Sequence, residues 1–340
     1  MQKCLYICLG KKYYYAPFVI NREVVINKGC IIIIIIMEKF EINILGCGSA
    51  LPTTRHFPSC QVINFRDKLF MIDCGEAAQL QFRKSKIKFS RLNHIFISHL
   101  HGDHCFGLMG LISTFALLGR TATLHLYSHK DLIKILQPQL DYFCKGMSYD
   151  VEFHEIDPTI SSIIYEDRSL IVRTIPLKHR IPTCGFLFEE KPALRHINRE
   201  MMDMYKIPLA YINCIKNGYD FITEDGEVIV NEILTFDPER TRKYAYCSDT
   251  IYNPSIIELI KECDLLFHEA TFAESEIKRA QETFHSTAKQ AATIAKDSNV
   301  GKLIIGHFSA RYEDEQLLLN EAKTVFKNTI LAKENFKICL

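Results

Sequence analysis

His99-Leu100-His101-Gly102-Asp103-His104 places three imidazoles and a carboxylate within six residues, directly behind the apolar run from Ile95 to Ser98. That run reads as a short strand, and such a cluster at a strand end is ligand chemistry for a cation. His99 and His101 can face one point while Asp103 and His104 turn toward a second, with Gly102 allowing a sharp turn between the pairs. Neutral imidazole and carboxylate suit Zn²⁺, and a carboxylate-rich sphere also accepts Mn²⁺. One cluster cannot complete two coordination spheres, so further donors must arrive from other strand ends. His179 follows a strand at 170–175, Asp249 one at 243–247, and His307 one at 303–305. As the only carboxylate of these three, Asp249 is the natural bridge between two ions. The plainer readings are a core histidine for His307, an exposed loop for His179 beside Lys178 and Arg180, and a helix N-cap for Asp249.

Working outward, Phe40 to Ile44 alternates with period two, as a half-buried strand does. A hairpin is expected from 62–65 to 69–72 through Arg66-Asp67-Lys68, then a short helix over 77–86. Residues 105–118 are apolar nearly all round, which predicts one buried helix. Thr123 to Tyr127 and Leu265 to His268 read as further strands. Helices are expected at 255–262, 287–297 and 314–326, and Thr287 with Gln290 matches a capping box. This strand-rich, helix-flanked style in both halves suits an α/β chain built as an αβ/βα sandwich. Residues 189–230 break the rhythm with Pro192, Pro208, Gly218 and a Met-rich stretch, and read as an insertion between two core strands.

Lys+Arg number 41 and Asp+Glu 40, so net charge neither demands nor excludes a nucleic-acid partner, and only a local patch could argue for one. Arg83, Lys84, Lys86, Lys88 and Arg91, with no acid between them, form such a patch or a solvated helix face. The 13 cysteines are odd in number and lack a CxxC pair, which fits buried thiols in a reducing cytoplasm. Residues 1–36, with Tyr13 to Tyr15 and six consecutive isoleucines at 31–36, look foreign to the rest. Polar Asn21, Arg22, Glu23, Asn27 and Lys28 interrupt any membrane span there. The expectation is that the native chain starts at Met37 and the folded domain occupies 38–335; N-terminal sequencing that finds Met1 refutes it.

The order HxHxDH, later His, later Asp, final His resembles the metallo-β-lactamase superfamily. The likeness is closest to the ribonuclease Z family. It is carried by Ile72-Asp73-Cys74-Gly75-Glu76, His268-Glu269-Ala270-Thr271, His285-Ser286-Thr287 and Gly306-His307-Phe308-Ser309-Ala310-Arg311-Tyr312. The resemblance implies a four-layer αβ/βα sandwich with a substrate-binding arm at 189–230. It also implies two Zn²⁺ per chain, Mn²⁺ being possible, a homodimer, and precursor tRNA as substrate. One ion would be held by His99, His101, His179 and Asp249, the other by Asp103, His104, Asp249 and His307, with Asp73 orienting a ligand imidazole. Asp103 would accept a proton, and His285 made basic by Glu269 would be the general acid. Thr53 and Arg55, in Pro52-Thr53-Thr54-Arg55-His56, and Arg311 would meet the RNA near its 3′ nucleotides. The arm departs from the family in having Pro208-Leu209-Ala210 where a Gly-Pro element is expected. The implied activity is removal of the 3′ trailer from precursor tRNA, in the cytoplasm and without a membrane. An aryl or cyclic-nucleotide phosphodiesterase of the same fold, or a non-catalytic RNA-binding relative, would share the architecture. A relative with a decayed site usually loses ligands, whereas every one is kept here.

Overall fold

The strand Lys68–Ile72 shows how the architecture is built. Alternate side chains of a strand leave on opposite faces. Phe70 and Ile72 enter one apolar cluster with Phe96, Phe186, Phe188, Tyr244 and Ile304. Leu69 and Met71 enter another with Phe82, Leu111, Phe115, Leu136 and Leu140. A second sheet therefore covers one side of the strand and helices cover the other. The computed structural model describes residues 39–340 and the backbone of Arg22–Asn27 and Cys30–Ile35, which pair antiparallel. The rest of the expected leader lies outside the described residues.

Two compact units are present, and Lys39–Glu190 with Arg242–Leu340 form the larger. Its first sheet runs in the order Lys337–Cys339, Phe40–Gly46, Cys60–Phe65, Lys68–Ile72, Leu92–Phe96, Leu124–Ser128, Val151–Glu155. Its second runs Thr329–Leu331, Leu303–Gly306, Leu265–Glu269, Lys243–Cys247, Cys184–Glu190, Leu170–Pro176, Ile163–Glu166. Parallel pairing joins Lys68–Ile72 through to Val151–Glu155, and Lys243–Cys247 through to Thr329–Leu331. Helices Ala78–Lys84, Leu108–Leu117 and Asp131–Phe143 back the first sheet, and Ala288–Asp297 and Gln316–Val325 the second. This is the expected αβ/βα sandwich. The hairpin turns at Arg66 and Asp67, both with positive φ, and Lys68 already belongs to the returning strand.

Two helices differ from expectation. Residues 105–118 are broken at Phe106-Gly107 into Gly102–Cys105 and Leu108–Leu117. A Cβ on Gly107 would stand 2.1 Å from the Gly75 carbonyl oxygen, so the chain crosses another backbone there. At 255–262 only a 3₁₀ turn, Pro254–Ile256, forms. Amide–carbonyl bonds from Ile257 to Pro254 and from Leu259 to Ile256 close i→i+3 turns, and Glu262 turns left-handed at φ 57°. The capping box of Thr287 and Gln290 is present.

The smaller unit includes Lys191–Thr241. It has its own apolar centre of Met202, Ile207, Ile215, Ile229 and Leu234, so the Met-rich stretch serves packing. The buried Asn231 amide donates to the carbonyls of Ile215 at 2.7 Å and Tyr219 at 2.8 Å, tying helix to hairpin. Among the described residues no helix is long and apolar enough to cross a membrane.

Candidate metal centre and acid pair

The C-terminal ends of strands from both sheets converge at one place. Phe96 leads into His99, Pro176 into His179, Cys247 into Asp249 and Gly306 into His307. Asp103 and His104 sit on the single helical turn Gly102–Cys105, which swings them away from His99 and His101. Gly102 itself has no left-handed backbone. Room is what it supplies, since a Cβ there would lie 2.2 Å from the Phe106 ring. His307 does adopt the left-handed region, at φ 60°, a strained conformation that aims its imidazole inward.

The donor atoms form two quartets, His99, His101, His179, Asp249 and Asp103, His104, Asp249, His307. In the first, His99 Nε2 is 3.0 Å from His101 Nδ1 and 3.6 Å from Asp249 Oδ2, and His179 Nε2 is 3.3 Å from His101 Nδ1. In the second, His104 Nε2 lies 3.3 Å from Asp103 Oδ2 and 3.4 Å from Asp249 Oδ1. His307 Nε2 lies 3.4 Å and 3.2 Å from the same two oxygens. Donors at ~2.0–2.1 Å from a tetrahedral zinc stand about 3.3 Å apart; the second quartet matches those edges, while the first scatters around them, with His179 Nε2 3.9 Å from Asp249 Oδ2. One Asp249 oxygen serves each.

Hydrogen bonds behind the quartets set the tautomers. His104 Nδ1 donates to Asp73 Oδ2 at 2.8 Å, which leaves buried Nε2 bare and without a hydrogen-bond partner. A lone pair facing two carboxylates is repulsive unless a cation lies between them. His179 Nδ1 donates to the Phe284 carbonyl at 2.8 Å, which directs Nε2 to the first quartet, and its side chain is 2% exposed, not the loop residue its flanking charges suggest. Asp73 is held by the Ser98 amide at 2.8 Å and the Tyr246 hydroxyl at 2.8 Å. Burial lowers the pKa of His99, with His104 adding to it, and burial likewise lowers His101 and His179, so these imidazoles stay neutral as ligands must. In the second quartet burial would raise Asp249, but His307 and His104 outweigh it and hold the carboxylate ionised. Three carboxylates, Asp73, Asp103 and Asp249, surround His104 and demand positive charge there. Donor chemistry, spacing and the bare nitrogen together fit a divalent cation.

Beside the quartets, His285 Nδ1 lies 2.8 Å from Glu269 Oε1. Burial opposes protonation of His285, yet the Glu269 carboxylate overcomes it and pushes the pKa up to about 9. Glu269 is fixed by the amides of Thr250 and Thr271 at 3.0 and 3.1 Å and by the Thr271 hydroxyl at 2.7 Å. With its proton on Glu269, the Thr271 oxygen accepts from His307 Nδ1 at 2.9 Å, so one hydroxyl links the His285–Glu269 pair to a candidate ligand. The His285 ring stacks on His307 at 5.3 Å. His268, in the same motif, instead turns into the core and donates to the Glu269 carbonyl at 2.7 Å.

The expected substrate contacts are placed less simply. Thr53 Oγ1 accepts from the amides of Arg55 and His56 at 3.3 and 3.0 Å, bracing its own loop. Arg55 donates to the carbonyls of Ala310 and Tyr312. Arg311 pairs with Glu276 at 2.8 Å and lies over the Phe272 ring. Arg83, Lys84, Lys86, Lys88 and Arg91 are all exposed, although Arg91 pairs with Asp67 at 2.8 Å. Sequence reasoning missed Ser98 and Tyr246, which brace Asp73. Phe106, two residues beyond His104, is 74% exposed.

Residues 40–192 match the family model of the anti-Pycsar protein Apyc1. Ribonuclease Z of Bacteroides fragilis (strain YCH46) is 66% identical over 304 residues, covering 89% of this chain and 100% of that protein. Ribonuclease Z of Parabacteroides distasonis is 57% identical over 302 residues, 89% of this chain and 99% of that protein. Among solved structures, human tRNase Z, short form, has a TM-score of 0.64 at 26% identity, covering 88% of this chain and 98% of its own. YhfI of Bacillus subtilis, a metallo-β-lactamase fold protein, shares the fold with a TM-score of 0.63 at 20% identity, covering 89% and 100%.

Proposed function

The chain belongs to the ribonuclease Z family, and on that premise we propose that it is the metal-dependent endoribonuclease that removes the 3′ trailer of precursor tRNA. The products are a tRNA with a 3′ hydroxyl and a 5′-phosphorylated trailer. The observation that carries this reading is the pair of quartets sharing Asp249 next to the His285–Glu269 pair. Two Zn²⁺, or Mn²⁺ in their place, held by His99, His101, His179 and Asp249 and by Asp103, His104, Asp249 and His307, would supply Lewis acidity toward the phosphodiester and acidify the attacking water. Asp103 accepts that water's proton. Burial would raise this carboxylate, but His104 and His307 keep it below the ordinary range and therefore ionised, with an oxygen free to accept. His285 donates a proton to the departing ribose oxygen, with Glu269 orienting the ring.

The exposed Phe106 ring offers a face for base stacking. Thr53, Arg55 and Arg311 shape the loops that receive the 3′ nucleotides. The unit 191–241 takes the part of the inserted arm that grips the tRNA body, and exposed Leu209, Tyr211 and Tyr219 are available on it. A homodimer would bury apolar side chains left exposed near the ends of two helices that pack together, Leu117 and Leu118 on one and Tyr142 and Phe143 on the other, and light scattering tests it. A cytoplasmic setting is supported by free thiols at every cysteine of residues 39–340.

The test is incubation of metal-loaded protein with a 3′-extended precursor tRNA, with the cut mapped. Cleavage just after the discriminator nucleotide is expected. Hydrolysis of small aryl or cyclic-nucleotide diesters with no cut in the tRNA would favour the phosphodiesterase alternative. Failure on every diester would leave only a non-catalytic RNA-binding role.

A further inference from the structure

Away from the His/Asp quartets, Cys47, His56 and Glu334 bring three donors of different chemistry to one point. Cys47 follows the strand Phe40–Gly46, His56 closes the loop that carries Thr53 and Arg55, and Glu334 precedes the strand Lys337–Cys339. Cys47 Sγ is 3.4 Å from His56 Nδ1 and 3.5 Å from Glu334 Oε1, and His56 Nδ1 is 3.1 Å from Glu334 Oε2. In a tetrahedral zinc site with sulfur at ~2.3 Å and nitrogen or oxygen at ~2.0 Å, donors stand about 3.3–3.6 Å apart. The three separations fall at or just under those edges.

The surroundings are also those of a built site. Cys47 is 1% exposed, while His56 and Glu334 side chains are 14% exposed, which leaves an approach for an ion and a water as fourth donor. Glu315 Oε1 lies 3.1 Å from His56 Nε2, so a carboxylate behind the ring holds the proton on Nε2 and turns the Nδ1 lone pair toward Cys47 and Glu334. The Phe57 amide donates to Glu334 Oε1 at 3.0 Å and fixes that carboxylate.

We propose that Cys47, His56 and Glu334 hold an additional divalent cation of the thiophilic, zinc-like class, separate from the His/Asp quartets. On binding, the thiol proton and any proton on His56 Nδ1 pass to solvent, and nothing is oxidised or reduced. The ion clamps a functional loop. Cys47 accepts from the Phe308 amide through its carbonyl at 3.1 Å, the Ser49 amide donates back to the Phe308 carbonyl at 3.2 Å, and the His56 ring packs on Phe308. The loop bearing Thr53 and Arg55 is thereby fastened to the residue that follows His307. The competing explanation is an imidazolium at His56 bridging Glu315 and Glu334, with Cys47 a bystander.

Cobalt substitution of the whole protein separates the two. The His/Asp quartets contain no sulfur, so a thiolate-to-Co²⁺ charge-transfer band in the near ultraviolet can arise only where a cysteine ligates. The expected result is such a band, developing with an equivalent of Co²⁺ beyond those taken by the quartets. It should vanish in Cys47→Ser and weaken in Glu334→Gln, with circular dichroism unchanged. Visible cobalt bands from the quartets without any charge-transfer band would overturn the proposal. So would a charge-transfer band that survives Cys47→Ser, or, should that variant not fold, one unaltered in both Glu334→Gln and His56→Asn.

Discussion

Replacing His285 with alanine separates proton delivery from metal binding. The imidazole is 2.8 Å from Glu269, and Glu269 is fixed by three further bonds, so the donor is preorganised. A positioned general acid contributes ~10²–10⁴-fold. At about 1.36 kcal/mol per tenfold this is roughly 3–5 kcal/mol of transition-state stabilisation. The ribose oxygen of an RNA needs that proton, whereas a nitrophenolate leaves without one. Single-turnover cleavage of 3′-extended precursor tRNA by His285→Ala should therefore fall by ~10²–10⁴-fold, while hydrolysis of a nitrophenyl phosphodiester falls by less than about tenfold. Metal content by mass spectrometry should be unchanged, because neither quartet includes His285. Glu269→Gln keeps a hydrogen-bonding atom but removes the charge and should fall between variant and parent. An equal loss on both substrates, or loss of bound metal, would refute the assignment of His285 as acid.

Excising Lys191–Thr241 and rejoining Glu190 to Arg242 through a short turn is feasible, since the Glu190 amide already donates to the Arg242 carbonyl at 3.0 Å. Precursor-tRNA cleavage should disappear and aryl diester hydrolysis persist, and equal loss of both would count against the arm reading. Arg242 Nε and Nη2 meet Glu190 Oε2 and Oε1 at 2.8 and 2.9 Å, so Arg242→Leu leaves that carboxylate with Arg66, at 3.0 Å, as its remaining cation and should cost about 1–3 kcal/mol in urea unfolding. Although burial would raise it, Arg242 and Arg66 keep the folded-state pKa of Glu190 below its ordinary 4.5. The pair's contribution is thus present above that value and lost as pH falls, and the gap between variant and parent should narrow on acidification. Gly107→Ala drives a Cβ against the carbonyls of Gly75 and Cys74 and should destabilise by about 1–3 kcal/mol while weakening metal retention, because that turn carries Asp73. Neutralising Arg83, Lys84, Lys86 and Lys88 together should flatten the salt dependence of tRNA binding, read by titration at several ionic strengths, and an unchanged slope would mark them as a solvated face.

The site was more legible than the frame that builds it. His99 to His104 is readable because ligand chemistry needs particular side chains at short spacing. His179, Asp249 and His307 are readable because each follows an apolar run, and for Asp249 and His307 those runs are parallel strands whose C-terminal ends deliver side chains to one edge. The strands Val151–Glu155 and Ile163–Glu166 were not legible, since their faces are only partly buried and the alternation is faint. Asp131–Phe143 hides behind Pro138, a residue that argues against a helix interior. The break at Gly107 is a tertiary effect, a close backbone crossing that no periodicity records. Thr271 lay inside a quoted motif, but its link between Glu269 and His307 depends on two strands being neighbours, which composition does not express.

Asp249 presents one oxygen to each quartet, at 3.6 Å from His99 and 3.2 Å from His307. Removing it would strip both halves at once, whereas His179→Ala or His307→Ala strikes one. Losses measured residue by residue therefore cannot be ranked on a common scale, nor summed, and a double variant of His179 and His307 should fall no further than Asp249 alone.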